Sequence, residues 1–193
     1  MVLRTLFGCS PFVACGLVSA FTEWRTGTLV AVLLAVVLMA VALRGGVESA
    51  VVEISAVVFC GAAAVIAFAA PHLVLREFIG ALSSGWLAVT AWGSVALGRP
   101  FTKAPERRAV PAEVWRHPLF HRTHAAVTSI WALGFTATAV LLAVVETEAP
   151  HSGFVETLIQ LAGNVVPAVF AHRYLTRRPD GMAAPRPETA TGT

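Results

Sequence analysis

The chain has 193 residues, of which 56% are hydrophobic and only 13% charged, with a formal net charge of +3. A soluble domain carries about 25% charged residues, and no soluble core of this length absorbs so much apolar sequence. The mean hydropathy of +0.74 therefore excludes a soluble globular domain and makes the bilayer the chain's solvent.

Six apolar runs follow one another at about 6–22, 26–43, 50–72, 78–98, 123–145 and 153–172. Most are close to the ~20 residues that cross a bilayer as a helix. They predict an all-α integral membrane protein: a bundle of six transmembrane helices over 1–178, a cytoplasmic loop at 99–122, and a disordered tail at 179–193 that has no apolar pattern. Charge sorts along this path. With Arg4 on the cytoplasmic side, 12 of the 14 Lys and Arg residues stay on that side, and only Arg25 and Arg76 lie opposite, beside Glu23, Glu77, Glu146 and Glu148. The positive-inside rule then places both termini in the cytoplasm.

The first run is the most broken, by Gly8, Pro11 and Gly16. Arg4 before it and Val18-Ser19-Ala20 near its end are also marks of a signal peptide, but the run is read as a span. Cys9, Cys15 and Cys60 lie in spans without metal-site spacing and read as small packing residues. The third run carries Glu53 about one turn inside its cytoplasmic end, with Phe59 and Cys60 deeper. The fourth carries Ser83, Thr90 and Ser94 on one helical face, with Trp86 beside Thr90 and Trp92 near it.

The loop 99–122 holds four prolines and reads as extended, with a short proline-started helix at 111–117. Trp115 and Phe120 suit the headgroup region. His117, His121 and His124 have helical spacing, but Pro118 interrupts that turn. They are read as interfacial polar residues, and no metal is expected. The fifth run places His124, Thr128, Trp131, Phe135 and Thr138 on one face, and the sixth does the same for Glu156, Gln160 and Asn164 before Pro167.

Polar groups inside a membrane are costly and mark function or helix pairing. Pairing accounts well for Ser83, Thr90, Ser94 and Thr128. It accounts less well for Gln160 and Asn164, and least for the carboxyls Glu53 and Glu156, although each carboxyl could snorkel to its nearer surface. Pro167 frees a helix carbonyl and predicts space between helices at that level. The expected site is thus a cavity bounded by Glu156, Gln160 and Asn164 and walled by Trp86, Trp92, Trp131 and Phe135, with Thr128 and Phe59 adjoining. Aromatic walls with a few polar groups suit a lipophilic small molecule.

The stretch LSSGWLAVTAWGSVALGRPFT at 82–102, followed by Glu113-Val114-Trp115-Arg116-His117-Pro118-Leu119-Phe120, resembles a widespread bacterial membrane-protein family related to intracellular septation protein A. The likeness is best over 29–145, and its clearest mark is Gly98-Arg99-Pro100-Phe101-Thr102. It implies a bacterial, multi-pass protein of the cytoplasmic membrane and no agreed activity. In outline only, the Ala/Val/Arg-rich, actinobacterial-like composition also resembles the bacterial membrane-bound indole-sesquiterpene cyclases, with no shared catalytic motif.

Three functions fit the sequence. The first is a membrane-embedded enzyme acting on a lipophilic prenylated substrate, a proton-initiated terpene cyclase. A carboxylic acid desolvated among rings keeps its proton and can donate it to an alkene or epoxide, and aromatic faces stabilise the resulting cation. Glu53 and Glu156 are the candidate acids. Phe59, Trp86, Trp92, Thr128, Trp131, Phe135, Gln160 and Asn164 are the candidate substrate residues. No cofactor motif is present; membrane lipids are expected partners, nucleic acid is not, and a homo-oligomer is compatible with all of this. The alternatives are a small transporter or channel using the same polar residues, or a structural protein of the cell envelope.

Overall fold

A computed structural model describes residues 2–44, 50–70, 72–103, 118–148 and 152–177. All its helices of more than one turn run up and down in sequence: α1 (Val2–Phe21), α2 (Trp24–Leu43), α3 (Val51–Ala69), α4 (Ile79–Ala96), α5 (Pro118–Glu148) and α6 (Gly153–Thr176), with a single 3-10 turn at Val74–Arg76 before α4. No strand occurs among the described residues. The expected helix at 111–117, Trp115, His117 and the tail at 179–193 lie outside them.

Five helices, α2 to α6, are long and apolar enough to cross a membrane. Their burial pattern is the reverse of a water-soluble bundle. In α2 the inward residues include Gly27, Thr28, Ala31 and Ala35, while Leu33 is 67% exposed. In α3 the inward set is Ala56, Cys60, Ala63 and Ala67, while Val65 is 69% exposed. Small residues face protein and large branched ones face outward, because lipid is as apolar as leucine and helix pairing relies on close packing.

The broken first helix has a physical explanation. α1 packs against α2, α3, α4 and α6, and no described residue from Gly8 to Ser19 is exposed. Pro11, Phe12 and Cys15 are fully enclosed. A helix surrounded by other helices needs less apolar surface than one facing lipid, and its Gly and Pro are tolerated because neighbours cover the weakened backbone. The core around it continues through Leu87, Val127, Trp131 and Phe135.

α5 has 31 residues, about 46 Å at 1.5 Å per residue, longer than the ~30 Å hydrocarbon layer. Proline at its first position suits a helix start, where no N–H partner is needed. α6 runs unbroken through Pro167. Pro167 is buried against Gly134 of α5, so the space expected at that proline is filled by a close crossing of α5 and α6.

Between α4 and α5 the chain turns back into the bundle. Gly98 adopts φ +66°, a left-handed conformation that glycine takes without a Cβ penalty. Its N–H and that of Arg99 close the helix on Val95 and Ser94, a C-terminal cap of the Schellman kind. Phe101 and Thr102 are then buried. The Phe101 N–H donates to Ser94 Oγ at 3.3 Å, and the Thr102 and Thr128 hydroxyls lie 2.9 Å apart. This is what the Gly98-Arg99-Pro100-Phe101-Thr102 segment does: it folds the chain back across the C-terminal end of α4 and ties it to the first turns of α5.

Candidate functional site

A cavity of about 710 Å³ opens at the end of the bundle where α1 stops, α2 starts, α3 leads into α4, and α5 leads into α6. Thr22, Glu23, Arg76 and Glu77 form part of its exposed mouth. Gly16, Gly80, Leu142 and Gln160 lie deeper. Gln160 is 4% exposed, and its amide fits beside Gly16 and Gly80, where an added Cβ on either would stand 3.9 Å from Oε1. Two helices thus present glycine where a third presents a long polar side chain. Ser84 Oγ donates to Gln160 Oε1 at 3.4 Å, and Asn164 Nδ2 donates to the Gln160 carbonyl at 2.8 Å.

The mouth is charged. Glu23, Glu77, Glu146 and Glu156 line it together with Arg25, Arg76 and His72. Arg25 is engaged elsewhere: its Nε donates to the Ala67 carbonyl at 3.3 Å, and its guanidinium lies 5.7 Å from the Phe68 ring centre, within cation–π range. Trp24 also lines the cavity; it is 5% exposed and its indole Nε1 is buried without a hydrogen-bond partner. Thr157 Oγ1 is in the same state.

The sequence-expected residues divide among four places. Glu156 and Gln160 line the cavity, and Asn164 sits one turn below Gln160 with its Oδ1 unpartnered. Glu53 lies in the first turn of α3, its Oε1 against Gly8 of α1. Gly8 is eight residues from Gly16, or about 12 Å along the helix, so the two carboxyls occupy opposite ends of the bundle. Trp86 and Trp92 are 39% and 40% exposed. Trp86 Nε1 donates to Ser55 Oγ at 2.8 Å, and its ring lies 5.9 Å from Phe59. Trp92 Nε1 donates to Thr136 Oγ1 at 3.2 Å. Both indoles clamp α4 to a neighbour at the lipid-facing surface, where a ring can remain in lipid while its N–H is satisfied.

Trp131, Phe135 and Thr128 are in the dry core, each at most 2% exposed. The Trp131 and Phe135 rings are 5.5 Å apart. None of Phe59, Trp86, Trp92, Trp131 and Phe135 lines the cavity. The rings expected to wall a chamber with Glu156 and Gln160 are therefore not the walls of this cavity. Helical spacing puts residues on one face but does not say whether that face meets a void or another helix.

Sequence reasoning missed Trp24, His72, Arg76, Glu77, Glu146 and Thr157 as neighbours of one space. Charge sorting groups Arg76, Glu77 and Glu146 on one side of the membrane but does not bring them together. The available signal was that a carboxylate lies in or beside each connection at this end, Glu23, Glu77 and Glu148, but convergence of three connections is a tertiary fact. At the opposite end, His124 is 3% exposed and its Nδ1 lies 3.2 Å from Thr102 Oγ1. His121 Nδ1 is 3.4 Å from Lys103 Nζ. No group of His, Cys, Asp and Glu side chains among the described residues has the arrangement of a metal site.

No family model matches the chain, and neither a curated protein nor a solved structure matches it significantly.

Proposed function

We propose that this chain is a six-span membrane protein with cytoplasmic termini, and that it binds a small molecule in the cavity open to the outer side. The single observation that carries this is the floor of that cavity. A buried glutamine, spaced by glycines on two facing helices, sits beneath a charged, water-accessible mouth. Polar groups placed inside a membrane and next to a void suit solute recognition. Below them Trp131 and Phe135 close the core, and Thr102, Thr128 and His124 tie the cytoplasmic-side end. An outward cavity with a closed inner half is the geometry of a solute-binding state in alternating access, so transport is the reading these features support best. The topology follows from the sorting of Arg and Lys, and the likeness to the septation-protein-A-related family is compatible with it.

A second reading is favoured by Glu156. It is the one of the two candidate acids that lines the cavity, and Trp24 shares the wall. Acid-initiated cyclisation of a lipophilic prenylated substrate, as in a membrane terpene cyclase, would then use Glu156 as proton donor and would leave Glu53 out. Purified protein in liposomes separates the readings. Solute flux abolished by Gly80→Leu, which fills the floor, supports transport. Conversion of a prenylated acceptor, lost in Glu156→Gln and kept in Glu53→Gln, supports the enzyme. Flux or turnover unaffected by filling the cavity contradicts both.

A further inference from the structure

We propose that Gln160 reads the cavity's ligand through its Nε2–H, and that the group it reads is a neutral hydrogen-bond acceptor such as an amide or ketone carbonyl; this rests on the cavity being the working site. The first observation is how the amide is held. Gln160 lines the cavity and is 4% exposed. Its Oε1 lies toward α1 and α4, 3.9 Å from where a Cβ would stand at Gly16 or Gly80, and accepts from Ser84 Oγ at 3.4 Å. That is the side chain's one hydrogen bond, so Nε2 donates to no described residue. Nor is Nε2 sealed off by protein, as Asn164 Oδ1 one turn below and Trp131 Nε1 in the closed core are. The open space beside it is the cavity. An almost wholly enclosed amide thus turns its unused donor toward that space. The amide nitrogen only donates, so what it recognises is an acceptor.

The second observation decides the charge of that acceptor. Glu23 is the N-cap of α2, Glu77 stands just before α4, and Glu156 is in the first turn of α6. Each therefore offsets the positive end of a helix dipole. Glu146 is engaged by a partner of its own, and Arg76 adds a positive charge at the rim. The rim thus selects strongly for neither sign. Deeper in, Gln160, Gly16, Gly80, Ile79 and Leu142 are all neutral. A carboxylate placed at Gln160 would exchange its hydration for one neutral donor and lie a single helical turn from Glu156, and burying a charge without a counter-charge is costly. An ammonium would meet a donor where it needs an acceptor. A carbonyl needs only the donor, and Ile79 and Leu142 supply apolar wall for the hydrocarbon attached to it. A ligand without an acceptor displaces water from Nε2 and leaves the donor unpaired. The volume, about 710 Å³, is within the range for organic ligands of drug size.

The test uses the full chain in nanodiscs of zwitterionic lipid and three probes built on one ring. N,N-dimethylbenzamide is neutral and carries a carbonyl, N,N-dimethylbenzylamine lacks the carbonyl and is a cation at neutral pH, and benzoate is an anion. Binding is measured by calorimetry against empty nanodiscs, with thermal unfolding of every variant as a folding control. The benzamide is expected to bind about 3- to 10-fold more tightly than the amine or benzoate, the worth of one hydrogen bond from an enclosed donor. Gln160→Met keeps the length of the side chain and removes the N–H. It should weaken the benzamide by about the same factor and leave the amine within about 2-fold of its wild-type affinity. Gly80→Leu or Gly16→Leu, which fill the floor, should abolish benzamide binding. If the amine or benzoate binds as tightly as the benzamide, or if Gln160→Met weakens benzamide and amine alike, while the glycine variants still abolish binding, the cavity stands and the reading of Gln160 is wrong. Should Gln160→Met fail to fold, the order of the three probes on the wild type decides. If both glycine variants fold and bind the benzamide as the wild type does, the cavity is not the site and the underlying reading falls with the proposal. Absence of binding at millimolar benzamide overturns the proposal.

Discussion

Gly134 and Gly163 set how closely α5 and α6 approach, and a pair of methyl insertions measures this. A Cβ added at Gly134 would overlap Pro167, with Pro167 Cβ at 3.2 Å and Cδ at 3.4 Å in addition to a nearer contact at Cγ. Pro167 is part of a rigid ring, so it cannot rotate away. A Cβ added at Gly163 would overlap Thr138, with Cγ2 at 2.8 Å and Cβ at 2.9 Å. By contrast, Gly61 and Gly93 have nothing within 4 Å of an added Cβ. Replacing glycine by alanine in a helix gains up to about 1 kcal/mol in propensity where there is room, while overpacking costs about 1–3 kcal/mol. Gly134→Ala should therefore be about 2–3 kcal/mol less stable than Gly93→Ala, although the covalent change is identical. Reversible unfolding in mixed micelles, followed by tryptophan fluorescence, reads the difference. Thr138→Ala removes the two side-chain atoms nearest the new methyl and should partly rescue Gly163→Ala, a coupling that a double-mutant cycle isolates. Equal stabilities for Gly134→Ala and Gly93→Ala, or strict additivity of Gly163→Ala with Thr138→Ala, would refute the close crossing.

Three further outcomes are expected. Trp86→Phe keeps a ring on Phe59 but loses the N–H donated to Ser55; it should cost about 0.6–1.5 kcal/mol in the same unfolding assay, whereas Val89→Ala, on a 70% exposed side chain facing outward, should cost less. Thr102→Val removes the hydroxyl shared with Thr128 and His124; it should destabilise the chain by about 1–3 kcal/mol and raise protease cleavage of the loop after α4 in inside-out vesicles. Glu156→Gln should alter ligand binding or turnover while Glu53→Gln leaves both within error, because of these two carboxyls Glu156 alone lines the cavity.

The helices were legible because membrane spans announce themselves by length. The expected runs at 26–43, 78–98 and 153–172 correspond to Trp24–Leu43, Ile79–Ala96 and Gly153–Thr176. α5 extends past its apolar run at both ends, from Pro118 to Glu148, because a helix does not stop where its side chains become polar; the run located the membrane crossing, not the helix ends. The burial of Gln160 and Asn164 was also foreseeable, since lipid disfavours both amides. The inward face of Trp131 and Phe135 was legible too; what each ring packs against was not. Trp86 and Trp131 look alike in a helical pattern, yet one lies at the surface bonded to Ser55 and the other is enclosed beside Phe135. What separates them is which helix stands opposite. The hub role of α1 was hidden for the same reason: Gly8, Pro11 and Gly16 weaken it as an isolated span and suit it as a surrounded one.

The outward cavity is tested most directly by labelling with a membrane-impermeant thiol reagent from the outer side. Cys9, Cys15 and Cys60, all buried, are first replaced, and single cysteines are introduced by Thr157→Cys, Leu158→Cys, Thr128→Cys and Lys103→Cys. Thr157 lines the cavity, Leu158 is next to it in α6 but 50% exposed on the outward face among apolar residues, and Thr128 is fully enclosed. Thr157→Cys should react, and Gly80→Leu should slow that reaction, while Leu158→Cys, Thr128→Cys and Lys103→Cys stay unmodified. Equal reaction at Thr157→Cys and Leu158→Cys would mean water reaches that level around the helix and not through a cavity, and reaction of Lys103→Cys from outside would invert the topology on which the account stands.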